Sequence, residues 1–235
     1  MKTTLLNTTL LSSVLFFAFT KDALSAERVA KIIDINGTVQ ILKYGRTLPT
    51  KNNIWLYEKD VVVTKADSSV ELQLVDGSLI NLGELARISV LDLVYDPLKK
   101  DGYIDLKIVK GAFRLISGSI AKLGPDLMQL KIPSATIGSR GTNIVGKIDK
   151  IGKKSFVILV PDPDGRIGEL VVKNTVGIVV LRKPNDGVTM IYPDKKLAKK
   201  KYTEKFIRDL VRQVPKLRHK LHRKQFDSLF WFNGK

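Results

Sequence analysis

The chain has 235 residues, with 44% hydrophobic and 27% charged side chains and a formal net charge of +17. That mixture suits one medium globular domain with an appendage and excludes a wholly disordered chain. There is no cysteine, which removes disulfides, thiolate nucleophiles, cysteine-based zinc sites and lipidation of a mature N-terminal cysteine.

The chain opens as an export signal. Lys2 gives a short positive start, residues 10–19 form an apolar run, and small residues follow at Ala23, Ser25 and Ala26. Cleavage after Ala26 would leave Glu27 as the new terminus. A core helix or an uncleaved anchor are the competing readings, but spanning a bilayer takes about 20 apolar residues and this run is short.

Residues 27–193 read as an all-β domain. Val70-Glu71-Leu72-Gln73-Leu74 alternates perfectly, and after Asp76-Gly77-Ser78 come residues 79–82 and 88–94. Further strands are expected at 39–42, 61–64, 104–109, 128–132, 142–147, 155–160, 169–172, 177–181 and 188–192. Alternation sends one side-chain set inward and the other to water, and starts spaced about 8–12 residues apart point to a barrel, sandwich or solenoid.

Residues 194–235 form a basic tail with 14 basic and 4 acidic side chains, so most of the net charge lies there. Pro193–Lys201 reads as a linker or the opening of a helical arm. Phe206, Ile207, Leu210, Val211 and Val214 then recur at helical spacing, with Thr203 as N-cap. Pro215 ends this helix and opens a second one with Leu217, Leu221, Phe226, Leu229 and Phe230. Arg208, Arg212, Lys216, Lys220, Arg223 and Lys224 line the opposite faces. Two outcomes fit such helices: the apolar stripe docks on the β domain, or it lies on an anionic envelope surface such as lipid headgroups or lipopolysaccharide phosphates. Nucleic acid, the other usual partner of such charge, is disfavoured by export.

The run Ile132-Pro133-Ser134-Ala135-Thr136-Ile137-Gly138-Ser139-Arg140-Gly141-Thr142-Asn143 resembles the Arg-Gly-Thr segment of FecR domains. Earlier pieces fall in the same order. Gly37-Thr38-Val39 resembles the opening strand, and Leu56 through Asp60 and Thr64 resembles a Gly-Asp-hydrophobic-x-Thr step. The strands around Asp76-Gly77-Ser78 and the stretch through Gly111 and Phe113 follow. Glu58-Lys59 stand where the family has a glycine before Asp60, so a differently closed turn is expected there. The resemblance covers residues 29–192 and implies a β-solenoid-like or compact β domain in the periplasm. The best-known members are transmembrane regulators whose cytoplasmic segment controls an iron-uptake sigma factor. An export signal at the start fits the secreted members instead.

Chemistry-bearing motifs have plainer readings beside them. Arg140-Gly141-Thr142 offers a guanidinium fork for carboxylate or phosphate, but turn geometry at Gly141, with the Thr142 hydroxyl satisfying turn amides, accounts for it as well. Asp76-Gly77-Ser78 is a tight-turn signal. Pro161-Asp162-Pro163-Asp164-Gly165 places two carboxylates near a glycine, yet Glu169 falls too early for a calcium loop. His219 and His222 share a helical face among cations that would repel a metal. The β domain holds no histidine to activate a hydroxyl. The expectation is an exported, non-enzymatic scaffold without metal or cofactor, which contacts an envelope protein or anionic surface. A signalling component acting through a partner is the alternative, and an envelope-modifying hydrolase the third.

Overall fold

The computed structural model describes residues 27–124, 126–149, 154–162 and 164–214. In chain order its strands begin with β1 (Arg28–Asn36), β2 (Val39–Lys43), β3 (Arg46–Pro49), β4 (Trp55–Tyr57), β5 (Val61–Thr64), β6 (Ser69–Leu74), β7 (Leu79–Leu82), β8 (Arg87–Asp96) and β9 (Asp101–Ile116). One helical turn, α1 (Ile120–Leu123), precedes β10 (Met128–Ile132), β11 (Ala135–Arg140), β12 (Asn143–Ile148), β13 (Lys154–Val160), β14 (Glu169–Lys173), β15 (Ile178–Leu181), β16 (Asp186–Ile191) and β17 (Ala198–Lys201). Helix α2 (Glu204–Val211) closes the described chain.

The strands build two open sheets joined through β9. The first runs β4-β1-β6-β7-β9-β12-β13-β16-β17, the second β3-β2-β5-β8-β9-β10-β11-β14-β15. Strand β9 can serve both because its first ten residues pair with β8 and β10, and its last six with β7 and β12. The crossing point is Gly111. Its φ of +99° and a would-be Cβ only 2.4 Å from Ala86 Cβ leave room for no side chain. One continuous core, with Ile32, Leu72, Leu106, Phe113, Ile137 and Leu159 among its members, fills the space between the sheets. Among the described pairs only β9–β10 is parallel, so the strands hairpin back and forth and do not coil as a parallel solenoid.

The expected strands are present. Five more, β1, β3, β4, β11 and β17, lie where no strand is expected from the sequence. Strand β17 stands in the stretch expected to be a linker or helical arm: Ala198–Lys201 pairs with β16 and extends the first sheet. Its lysines have an evident use at an edge, where charge opposes pairing with another chain.

Helix α2 begins where expected. The Thr203 hydroxyl accepts the Phe206 N–H at 3.2 Å. Ile207, Leu210 and Val214 pack with Ala112, Val145, Ile158 and Val160 on the outer face of the first sheet. The Tyr202 ring lies 6.0 Å from Phe156 and 5.1 Å from Phe206, and its hydroxyl is 2.7 Å from Thr189 Oγ1. For residues 202–214 the apolar stripe is therefore docked on the protein's own sheet. The export signal, the second tail helix, both histidines and Lys216, Lys220, Arg223 and Lys224 lie outside the described residues. No helix among the described residues is long and apolar enough to cross a membrane.

Candidate functional site

The two sequence motifs meet on opposite sides of the short segment Ser117–Ile120. Asp76 is buried, and its carboxylate accepts the Ser78 N–H at 2.9 Å, the Ser78 hydroxyl at 2.9 Å and the Ile120 N–H at 3.3 Å. Ser78 Oγ in turn accepts the Gly118 N–H at 2.8 Å, and the Asp76 carbonyl accepts the Ser119 N–H at 3.0 Å. Gly77, at φ +86°, makes the tight turn expected of it. From the other side the Thr142 N–H donates to Ser117 Oγ at 2.6 Å. The Asp76 carboxylate and the Ser78 hydroxyl are thus occupied in holding the fold.

Arg140-Gly141-Thr142 divides its roles. Arg140 is exposed at the end of β11, Gly141 turns at φ +56°, and Thr142 is buried. The expectation that the Thr142 hydroxyl satisfies turn amides is not met, because Oγ1 has no hydrogen-bond partner. The main chain of Thr142 carries the turn instead, and Ser117, unmarked in the sequence, supplies the side chain.

The Asp60-to-Thr64 step is also structural. Asp60 Oδ2 accepts the Tyr57 N–H at 3.0 Å, and its other oxygen lies 3.5 Å from Lys43 Nζ. Thr64 Oγ1 donates to the Gly83 carbonyl at 2.7 Å and accepts the Ala86 N–H at 2.8 Å, pinning the loop between β7 and β8. The turn before Asp60 closes with Lys59 at φ +65°, the left-handed backbone that a glycine would favour. A differently closed turn was expected there. The fold keeps the left-handed shape and accepts strain at a lysine.

A buried polar row crosses the first sheet. Glu71, Asn81 and Arg114 stand opposite one another on β6, β7 and β9. Arg114 is only 3% exposed, and its Nε donates to Asn143 Oδ1 at 3.0 Å. Asn143 Nδ2 donates onward to the Pro161 carbonyl at 2.9 Å. Burial pulls the Arg114 guanidinium down to about 10, against the fields of Asp162 and Glu71. Burial, then Asp164, pushes the half-buried Asp162 carboxyl up to about 6, opposed by Arg166, Lys122 and Arg114. Asp164 itself is held by Arg166. Sequence reading passes over Arg114. The signal was a lone arginine inside the apolar run Ala112–Ile116.

Among the described residues, two surfaces stand out as open to other molecules. An open groove of about 1000 Å³ lies on the outer face of the second sheet. Across it Lys107, Lys131, Thr136 and Lys173 stand in one row on β9, β10, β11 and β14, and Lys131 pairs with Asp105. The second surface is the edge of β17 with the outer side of α2. There Lys199 pairs with Asp186 at 3.1 Å, and Lys200 lies 4.5 Å from the Tyr202 ring centre. Arg208 and Arg212 face water but are paired with Glu204 at 3.5 Å and Asp209 at 3.1 Å.

Residues 60–160 match the model of the family described as FecR protein. No curated protein matches. Two crystal structures described as a "putative anti-sigma factor" from Parabacteroides distasonis are similar to this chain at 10–11% identity. One has a TM-score of 0.50, covering 64% of this chain and 64% of that one; the other has 0.49, covering 64% and 63%. The chain thus spans just under two thirds of the length of these proteins.

Proposed function

We propose that this chain, whose residues 60–160 form a FecR domain, is an exported, non-catalytic envelope protein that takes part in signalling by contacting a partner. The family match supports a signalling role. The carrying observation is how the polar motifs are used: Asp60, Thr64, Asp76 and Ser78 are buried and hydrogen-bonded within the fold. Recognition then falls to the open surfaces, above all the lysine row across the second sheet. Its spacing is that of neighbouring strands, about 4.8 Å, which suits an acidic segment of another envelope protein laid across the strands. Fractionation of cells making the full-length protein tests export. Co-purification of wild type against Lys107→Glu/Lys173→Glu tests the groove, with loss of the bound protein expected from the double variant. An unchanged set of partners would move the contact elsewhere.

A second reading, peripheral association with an anionic envelope surface, is favoured by the exposed lysines of β17. Basic residues near such a surface contribute about 1 kcal/mol each. Flotation of the full-length protein with anionic liposomes at low and high salt decides it: absence of binding at low salt removes the reading.

A further inference from the structure

We infer that the free edge of β15 takes an extended, acid-flanked segment of another protein as an added strand of the second sheet. The hydrogen-bond register fixes which groups are on offer. The Asn174 N–H donates to the Gly177 carbonyl at 3.0 Å, and β14 and β15 continue from that pair with Lys173 opposite Ile178 and Val172 opposite Val179. In an antiparallel ladder bonded and non-bonded pairs alternate. Val179 and Leu181 therefore bond to β14, and the N–H and C=O groups of Ile178 and Val180 point away from it. Among the described residues, nothing bonds to those four groups.

The other sheet edges are guarded. Strand β17 carries Lys199, Lys200 and Lys201, β3 carries Arg46 and Pro49, and β4 has three residues. Charge, proline and shortness each discourage pairing with a further chain. Strand β15 is short too, but Ile178-Val179-Val180-Leu181 holds no charge and no proline. Ile178 and, in the turn before it, Val176 are 59% and 54% exposed. Val179 packs inward on the core, while Ile178 and Val180 stand on the outer face beside Lys173 and Val171. An added strand thus meets β-branched side chains on both faces, the kind that favours strand pairing.

Charge selects the occupant. Lys183 follows the strand at one end. At the other, Asn174 Nδ2 donates to the Lys195 carbonyl at 2.7 Å and the Thr175 hydroxyl to the Pro193 carbonyl at 2.7 Å, which brings Lys195 and Lys196 to the turn. Lys195 is met by Asp194 at 3.7 Å. Lys183 and Lys196 are exposed and hold no carboxylate among the described residues. An apolar strand between two basic ends is matched by a segment with apolar alternate residues and acidic ends, in either direction. A second copy does not match: two-fold pairing about Val179 sets Lys183 of each copy against the Asn174–Thr175 turn of the other, where Lys195 and Lys196 lie. Residues 215–235 of the chain itself hold one acidic residue, Asp227, and supply no such segment. This edge is read by main chain and is separate from the lysine groove, which is read by side chains.

The test is amide NMR and hydrogen exchange on the full-length protein, titrated with a peptide of five alternating valines and threonines between paired aspartates. The Ile178 and Val180 amides are expected to shift saturably and to exchange at least about tenfold more slowly, while Val179 and Leu181, already bonded to β14, change little. The same peptide N-methylated at its central amides keeps its side chains and charges but loses its donors, and does not bind. Val180→Pro deletes an outward N–H, keeps the bonds to β14, and abolishes binding in a protein whose Val179 amide stays protected. Ile178→Lys, the kind of charge that guards β17, weakens binding at least about tenfold. No saturable shift up to roughly 1 mM, slowing at β3 or β17 instead, or equal binding of a lysine-flanked or N-methylated peptide would each overturn the assignment. So would undiminished binding by folded Val180→Pro, or slowing of Ile178 and Val180 with rising protein concentration alone.

Discussion

Ser117 and Thr142, 25 residues apart, are joined by three hydrogen bonds that involve no Thr142 side-chain atom. The Ser117 hydroxyl accepts from the Thr142 N–H and donates to its carbonyl at 2.8 Å, while the Ser117 N–H reaches the same carbonyl at 3.1 Å. The Thr142 hydroxyl is buried without a partner. Removing one partner from a buried bond leaves the other unsatisfied, at about 1–3 kcal/mol. Ser117→Ala is expected to lose that much in urea unfolding, whereas Thr142→Val, which deletes a hydroxyl that bonds to nothing, is neutral or stabilising. The reverse ranking would show that the motif threonine acts through its side chain.

At Lys59 the backbone sits at φ +65°. The left-handed conformation costs a residue with a Cβ about 1–2 kcal/mol, part of which glycine gives back through its greater freedom when unfolded. Lys59→Gly should therefore stabilise the fold by roughly 0.5–1 kcal/mol, a rise of about 1–4 °C in Tm. Lys59→Val should lower Tm.

Asp162 makes stability pH-dependent. Its folded pKa, about 6, lies above the ordinary 3.8, so between these values the folded state holds more protons than the unfolded state. Stability contributed by this group is present at low pH and lost as pH rises through about 6. Asp162→Asn removes the loss. Discounted for solvent screening of a half-exposed group, the variant is expected to gain roughly 1 kcal/mol over wild type at pH 7.5 and nothing at pH 4. Parallel denaturation curves across that range measure it, and a difference that does not change with pH would refute the assignment.

Helix α2 is part of the fold. Leu210 is 2% exposed against the first sheet, and truncating a buried leucine costs about 2–5 kcal/mol. Leu210→Ala should lie within that range and speed hydrogen exchange in α2 and β17 first. A protein ending at Tyr192 would uncover Val145, Ile158 and Val160 and is expected to aggregate, whereas one ending at Val214 stays soluble. Equal solubility of the two would place α2 outside the cooperative unit.

The sequence by itself determined the strands that bury one face and leave the other nearer water, such as β10, because alternation of apolar and polar residues is a local property written in the chain. It also determined the Asp76-Gly77-Ser78 turn, the Thr203 cap and the amphipathic stripe of α2, each set by neighbours within a few residues. Only the tertiary structure decided the rest. The lysines of β17 carry no strand pattern and become a strand because β16 offers an open edge. The polar edge β3, the three-residue β4 and the small-residue β11 are likewise made by pairing. Arg114 looks like any strand arginine until α2, about 90 residues later, closes over it. Contacts between distant residues set burial, and burial gives these side chains their chemistry.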